Sequence, residues 1–152
     1  MGKSISKRIV VAVLRLLLLQ GSFALSGAAL AEQPLPPDEA FKLRVSVRGP
    51  NTIVAEFTPA KGHYLYKNKT FFALKDARGV LIREVRLPPG EVKNDAFFGT
   101  METYKKPFQA EITLDRKSTA RRLTLLASYQ GCNEKVGVCY PPTQKTWQLD
   151  LP

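Results

Sequence analysis

The chain has 152 residues, with 23 Lys and Arg against 13 Asp and Glu, a formal net charge of +10, one histidine and two cysteines. One histidine and two cysteines make a poor zinc-ligand set, no phosphate-binding glycine loop or Ser-His-Asp order can be assembled, and no nucleic-acid motif accompanies the charge. Metal, hydrolase and nucleic-acid functions are set aside, and the charge is read as a solvated basic surface.

Met1 to Ala31 has the form of an export signal. Lys3, Lys7 and Arg8 begin it, Ile9 to Leu19 is apolar apart from Arg15, and Ala29-Leu30-Ala31 offers small-x-small for cleavage. An uncleaved anchor is the alternative, since Leu16 to Ala31 is uncharged and about 20 apolar residues span a bilayer. Either way the remainder leaves the cytoplasm, where a disulfide is chemically permissible. Four of the basic residues and none of the acidic ones precede Glu32, so residues 32–152 form one domain of formal charge +6.

Glu32 to Pro37 reads as an extended leader. From Phe41 the residues alternate: Phe41, Leu43, Val45 and Val47 share one face, and Lys42, Arg44, Ser46 and Arg48 the other, as in a half-buried strand. Gly49-Pro50-Asn51 turns the chain into a second strand, Thr52 to Phe57, which completes a hairpin. Further strands are expected around His63-Tyr64-Leu65-Tyr66, over Thr70 to Lys75, Val80 to Leu87, Phe108 to Leu114 and Leu123 to Gln130, and through Trp147, Leu149 and Leu151. No helical period of useful length occurs. The pattern predicts an all-β, immunoglobulin-like sandwich.

Two segments resist a purely structural account. Asn94-Asp95-Ala96-Phe97-Phe98-Gly99 places adjacent phenylalanines beside glycine, outside any strand alternation. They suit either core anchors beneath a loop or an aromatic cover for a reactive group. Tyr129-Gln130-Gly131-Cys132 to Cys139-Tyr140-Pro141-Pro142 holds both cysteines, with six residues between them, close enough for the sulfurs to meet if the chain turns back through Gly131 and Gly137. A structural staple is the common use of two exported cysteines. An eight-residue ring, however, gives comparatively little loop-closure stabilisation, and a short loop stiffened by prolines suits a bond made and broken repeatedly. His63 is read as a packing or surface residue rather than the base of a Cys-His pair.

Together these residues resemble one family, the N-terminal periplasmic domain of the thiol:disulfide interchange reductase DsbD. The resemblance is carried by Pro37-Asp38-Glu39-Ala40-Phe41, Gly62-His63-Tyr64-Leu65-Tyr66-Lys67, Asp95-Ala96-Phe97-Phe98-Gly99 followed by Tyr104, and the two cysteine brackets, in order along residues 32–152. It implies an immunoglobulin-like domain whose cysteines ferry reducing equivalents in the periplasm, with no cofactor beyond the disulfide. By position, Cys139 corresponds to the thiol that forms mixed disulfides and Cys132 to the one that resolves them. Phe97 corresponds to the cap over the sulfurs and Tyr64 and Tyr66 to site-lining aromatics, with Asp95, Phe98 and Tyr140 grouped beside them.

Three departures accompany the resemblance. The inter-cysteine loop is one residue longer than in the family's best-known members, Ala96 stands where a second acidic residue is common, and the sequence ends at Pro152. The expectation is therefore a monomeric thiol:disulfide oxidoreductase acting as an electron carrier, supplied by a separate membrane conduit. It would act on thioredoxin-fold partners, with disulfide isomerases and cytochrome c maturation as the acceptors by analogy. The alternative is a non-catalytic binding or assembly module with a structural disulfide.

Overall fold

The computed structural model describes residues 33–117 and 119–152. The expected signal segment, Met1 to Ala31, lies outside the described residues. Among them, no helix is long and apolar enough to cross a membrane.

The regular structure of the described chain is almost entirely antiparallel strand. A one-turn helix, α1 (Pro37–Ala40), begins at the last residue of the expected extended leader. Proline suits the first helical position because it lacks an N–H that the first turn could not use. The expected hairpin follows, β1 (Phe41–Val47) and β2 (Thr52–Pro59), with Val45 opposite Ala55. Next come β3 (His63–Tyr66), β4 (Phe71–Lys75), β5 (Val80–Arg86), β6 (Glu91–Asp95) and β7 (Gly99–Tyr104). The remainder comprises β8 (Phe108–Arg116), β9 (Arg122–Tyr129), β10 (Gly131–Asn133), β11 (Val138–Cys139) and β12 (Thr143–Asp150).

One sheet has the order β1-β2-β8-β5, a second β12-β9-β4, and a third β11-β10-β3-β7-β6. The strand alternation sorts side chains as expected. Ile53, Ala55 and Phe57 of β2 enter the core with Phe108, Ala110, Ile112 and Leu114 of β8, and Leu123, Leu125 and Tyr129 of β9 meet them from the second sheet. This is the immunoglobulin-like sandwich the sequence implies.

The core reaches the cysteines through aromatic rings. Phe57 stacks on Phe108 at 5.0 Å and meets Tyr129 edge-on at 5.3 Å; Tyr129 contacts Phe41, and Phe41 contacts Tyr140 at 5.2 Å. Phe41 is fully buried, a placement set by α1, and burial of such a ring contributes about 2 kcal/mol. Its ring lies against Gly131: a Cβ there would come within 2.7 Å of Phe41 and collide with the Tyr64 carbonyl oxygen. Gly131 therefore answers a need for space, not for unusual backbone angles, whereas Gly137 does adopt a left-handed φ of 66°.

The hairpin β6–β7 was not expected as strands. Asp95 pairs with Gly99 at its end, so the Asn94–Gly99 segment is the tip of this hairpin.

Candidate functional site

The site is assembled on β3. Alternation sends Leu65 into the core and Tyr64 and Tyr66 to the other face, where their rings meet edge-on at 5.3 Å. β10 pairs with β3 so that Cys132 lies opposite Tyr64, and β11 pairs with β10 so that Cys139 lies opposite Cys132. The two cysteines are joined in a disulfide, with Cα atoms 3.9 Å apart. Cys132 is 1% exposed and packs with Tyr64, Tyr66 and Met101. Cys139 is only partly buried, which makes it the more accessible of the two.

Asp95 organises what surrounds the sulfurs. Its Oδ1 accepts the backbone N–H groups of Phe97 (2.9 Å) and Phe98 (3.2 Å), which shapes the hairpin tip as an aspartate commonly shapes a turn. Its Oδ2 accepts the hydroxyls of Tyr64 and Tyr66, both at 2.7 Å. One buried carboxylate thus ties the hairpin tip to the two tyrosines. Burial by itself would raise the Asp95 carboxyl, but the hydrogen bonds from Tyr66, Tyr64, Phe97 and Phe98 outweigh it and hold the group below the ordinary carboxylate range. Burial, reinforced by that carboxylate, pushes the Tyr64 phenol up to about 12 and raises Tyr66 as well.

The Tyr66 oxygen lies 3.1 Å from Cys132 Sγ and 3.8 Å from Cys139 Sγ. A phenol has one proton, and an ionised carboxylate is a far better acceptor than sulfur, so that proton lies toward Asp95. Tyr66 then shows the sulfurs its lone pairs. Once the disulfide is reduced, a Cys132 S–H can donate to this oxygen, whereas a thiolate finds no donor there and a carboxylate behind it. Both effects favour protonated thiols and restrain attack.

The tip residues Phe97 and Phe98 are 64% and 40% exposed, which rules out a role as core anchors. Phe97 lines a cleft of about 210 Å³ together with Tyr64, Asp95, Cys132 and Cys139. Phe98 points instead to Tyr66, edge-on at 5.2 Å, with the Lys69 ammonium 4.7 Å from its ring centre. Tyr140, grouped with the site from the sequence, is buried behind it: its ring joins the core and its hydroxyl meets His63 Nε2 at 3.2 Å. The Lys61 carbonyl lies 3.3 Å from His63 Nδ1 and can only accept, so in the neutral imidazole Nδ1 carries the proton and Nε2 accepts from Tyr140. His63 is thus a buried packing residue that steadies the segment after Cys139.

Lys93 and Glu134 also line the cleft, and no sequence signal marked them. Among the described residues, no group of three or more His, Cys, Asp or Glu side chains is placed to hold a metal.

The family model "Thiol:disulfide interchange protein DsbD, N-terminal" matches residues 31–151. Thiol:disulfide interchange protein DsbD 1 of Pseudomonas aeruginosa is 34% identical over 116 residues, which is 76% of this chain and 19% of that protein. DsbD of Ralstonia nicotianae is 31% identical over 136 residues, 89% of this chain and 22% of its own length. The chain therefore spans about a fifth of these relatives. The crystal structure of the Neisseria meningitidis DsbD N-terminal domain in the reduced form superposes with a TM-score of 0.68 at 32% identity, covering 76% of this chain and 89% of that one. A complex between the DsbD and PilB N-terminal domains of the same species superposes with a TM-score of 0.64 at 30% identity, covering 78% and 88%. A family match over nearly all the described residues, on a shared fold, makes this chain a member of the DsbD N-terminal domain family.

Proposed function

We propose that the domain carries reducing equivalents by reversible thiol:disulfide exchange at Cys132 and Cys139. The observation that carries this reading is the asymmetry of the pair, one sulfur enclosed and the other within reach beside an exposed aromatic tip. In the reduced domain the Cys139 thiolate attacks a sulfur of the partner's disulfide. That bond breaks, a mixed disulfide forms, and the partner's other sulfur leaves as a thiolate that takes up a proton. Cys132, deprotonated in turn, attacks Cys139 Sγ, so the Cys132–Cys139 bond forms and the partner departs as a dithiol with two electrons gained. Recharging runs the same steps backward from a reduced donor.

Phe97 acts as the cap, Tyr64, Tyr66 and Asp95 form the floor that keeps the thiols protonated, and Phe98 braces the cap against Tyr66. The partner would be a thioredoxin-fold protein in the periplasm. The complex of a related domain with a PilB N-terminal domain and the names of the relatives support this. Residues 1–31 would be removed on export, leaving residues 32–152 as the redox domain.

The test is transfer itself. Reduced domain mixed with an oxidised periplasmic thioredoxin-fold domain should lose two thiols per molecule as the partner gains two, followed by mass after alkylation; the exported chain should begin at Glu32 by N-terminal sequencing. A disulfide that stays closed against a reduced thioredoxin-fold donor, together with no transfer in the forward direction, would leave only a structural cross-link.

A further inference from the structure

The inter-cysteine loop is fixed at its backbone without help from the Glu134 side chain. The Glu134 amide donates to the Gly62 carbonyl at 2.8 Å, and Asn133 Oδ1 accepts the amides of Lys135 (3.0 Å) and Val136 (3.4 Å). The Glu134 carboxylate is free to act elsewhere. It reaches Lys93 Nζ at 2.7 Å and Lys105 Nζ at 3.0 Å, on segments 41 and 29 residues away. Lys93 lies on β6 two residues before Asp95, with its ammonium 4.9 Å from the centre of the Tyr64 ring.

The hairpin that Lys93 belongs to is weakly supported near its tip. β6 is the sheet edge, and β7 pairs with β3 only through Tyr104 opposite Leu65 and Thr103 opposite Tyr66. The pairing to β3 therefore stops short of the tip, where β6 and β7 pair only with each other, as far as Asp95 and Gly99. Beyond it, side chains hold the tip: the Asp95 hydrogen bonds, Phe98 on Tyr66, and the Lys93–Glu134 pair.

We propose that Glu134 is a positioning residue for the exchange reaction, a latch that joins the inter-cysteine loop to the Phe97-bearing hairpin through Lys93 and to the β7–β8 connection through Lys105. It rests on the exchange reading and adds what governs access to Cys139. The cap opens when this ion cluster yields, and because its members are partly exposed, it yields with ionic strength.

Dithiothreitol, a small dithiol that needs no docking surface, tests the latch on the oxidised protein: its two thiols close to a cyclic disulfide as Cys132 and Cys139 become thiols. At low salt, Glu134→Gln and Lys93→Gln should each be reduced about threefold faster than the wild type, as expected for losing a partly exposed ion pair. The double variant should be no faster than either single one, and added salt should speed the wild type alone. The direction at Lys93 is decisive. The attacking species is a thiolate, so a bare charge effect would speed Glu134→Gln but slow Lys93→Gln, whereas a latch speeds both. A slower Lys93→Gln, additive effects, or equal salt dependence in all four proteins would overturn the proposal. None of these outcomes bears on whether the wild type passes electrons to a thioredoxin-fold protein, so failure of the latch and failure of the exchange reading are told apart.

Discussion

Replacing Cys139 by alanine should abolish mixed-disulfide formation with a thioredoxin-fold partner, whereas replacing Cys132 should make the same adduct accumulate. The difference follows from burial. Cys139 is partly exposed, whereas Cys132 is enclosed by Tyr64, Tyr66 and Met101 and would react with a partner only after a larger local opening. If that opening costs about 3 kcal/mol, exchange through Cys132 slows on the order of 100-fold. With Cys132→Ala, attack by Cys139 proceeds but nothing resolves the product, so the covalent complex persists on a non-reducing gel. Each variant also lacks the cross-link, which for an eight-residue ring is worth about 2.5 kcal/mol on a loop-entropy basis. Stability should therefore be compared with that of the reduced wild type, which lacks it too. Equal trapping by both variants would mean that the enclosed sulfur is reached as readily as the open one, and the assigned roles would fall.

Much of this arrangement was legible in the sequence, for identifiable reasons. Strands with one buried face announce themselves by alternation, as Phe41 to Val47 and Phe108 to Leu114 do, so the sandwich and its core followed from a period of two. The cysteine brackets were legible because two thiols and a pair of prolines in one short stretch leave few uses. The hairpin β6–β7 was not legible. Glu91-Val92-Lys93-Asn94 and Gly99-Thr100-Met101-Glu102 carry no apolar alternation, and Val92 is largely exposed. What makes them strands is a backbone ladder beside a sheet edge, not a buried apolar face. Nor could spacing reveal that Lys93 meets Glu134, since that contact exists only once β3 has drawn β7 and β10 to its two sides.

The same limit applied to Asp95, whose place beside the cap was expected but whose double grip was not. Oδ1 closes the turn that presents Phe97, and Oδ2 holds the floor beneath the sulfurs. Sequence places an aspartate before two phenylalanines; only the fold brings Tyr64 and Tyr66 to its other oxygen.

That double grip sets the expected results at Asp95. In Asp95→Ala, two buried phenols lose their acceptor, and at about 1–3 kcal/mol for each orphaned group the domain should lose about 4 kcal/mol in urea titration. The pH dependence follows from the sign of the shift. The folded carboxyl lies below its unfolded value of about 3.9, so its stabilisation is complete above that pH and is lost as the pH falls through the folded value. The part of acid destabilisation due to Asp95 should be missing from both Asp95→Ala and Asp95→Asn. Asp95→Asn has a further consequence. An amide nitrogen in place of Oδ2 donates to the tyrosine oxygens, which turns a phenolic proton toward the sulfurs and removes the nearby negative charge. Both changes favour a thiolate, so in the reduced protein the midpoint for Cys139 alkylation should move down by about one pH unit. The reduced variant should then react faster than the wild type with small disulfides at neutral pH. An unmoved midpoint would mean that the Asp95 carboxylate holds the cap and the floor together without restraining the thiols.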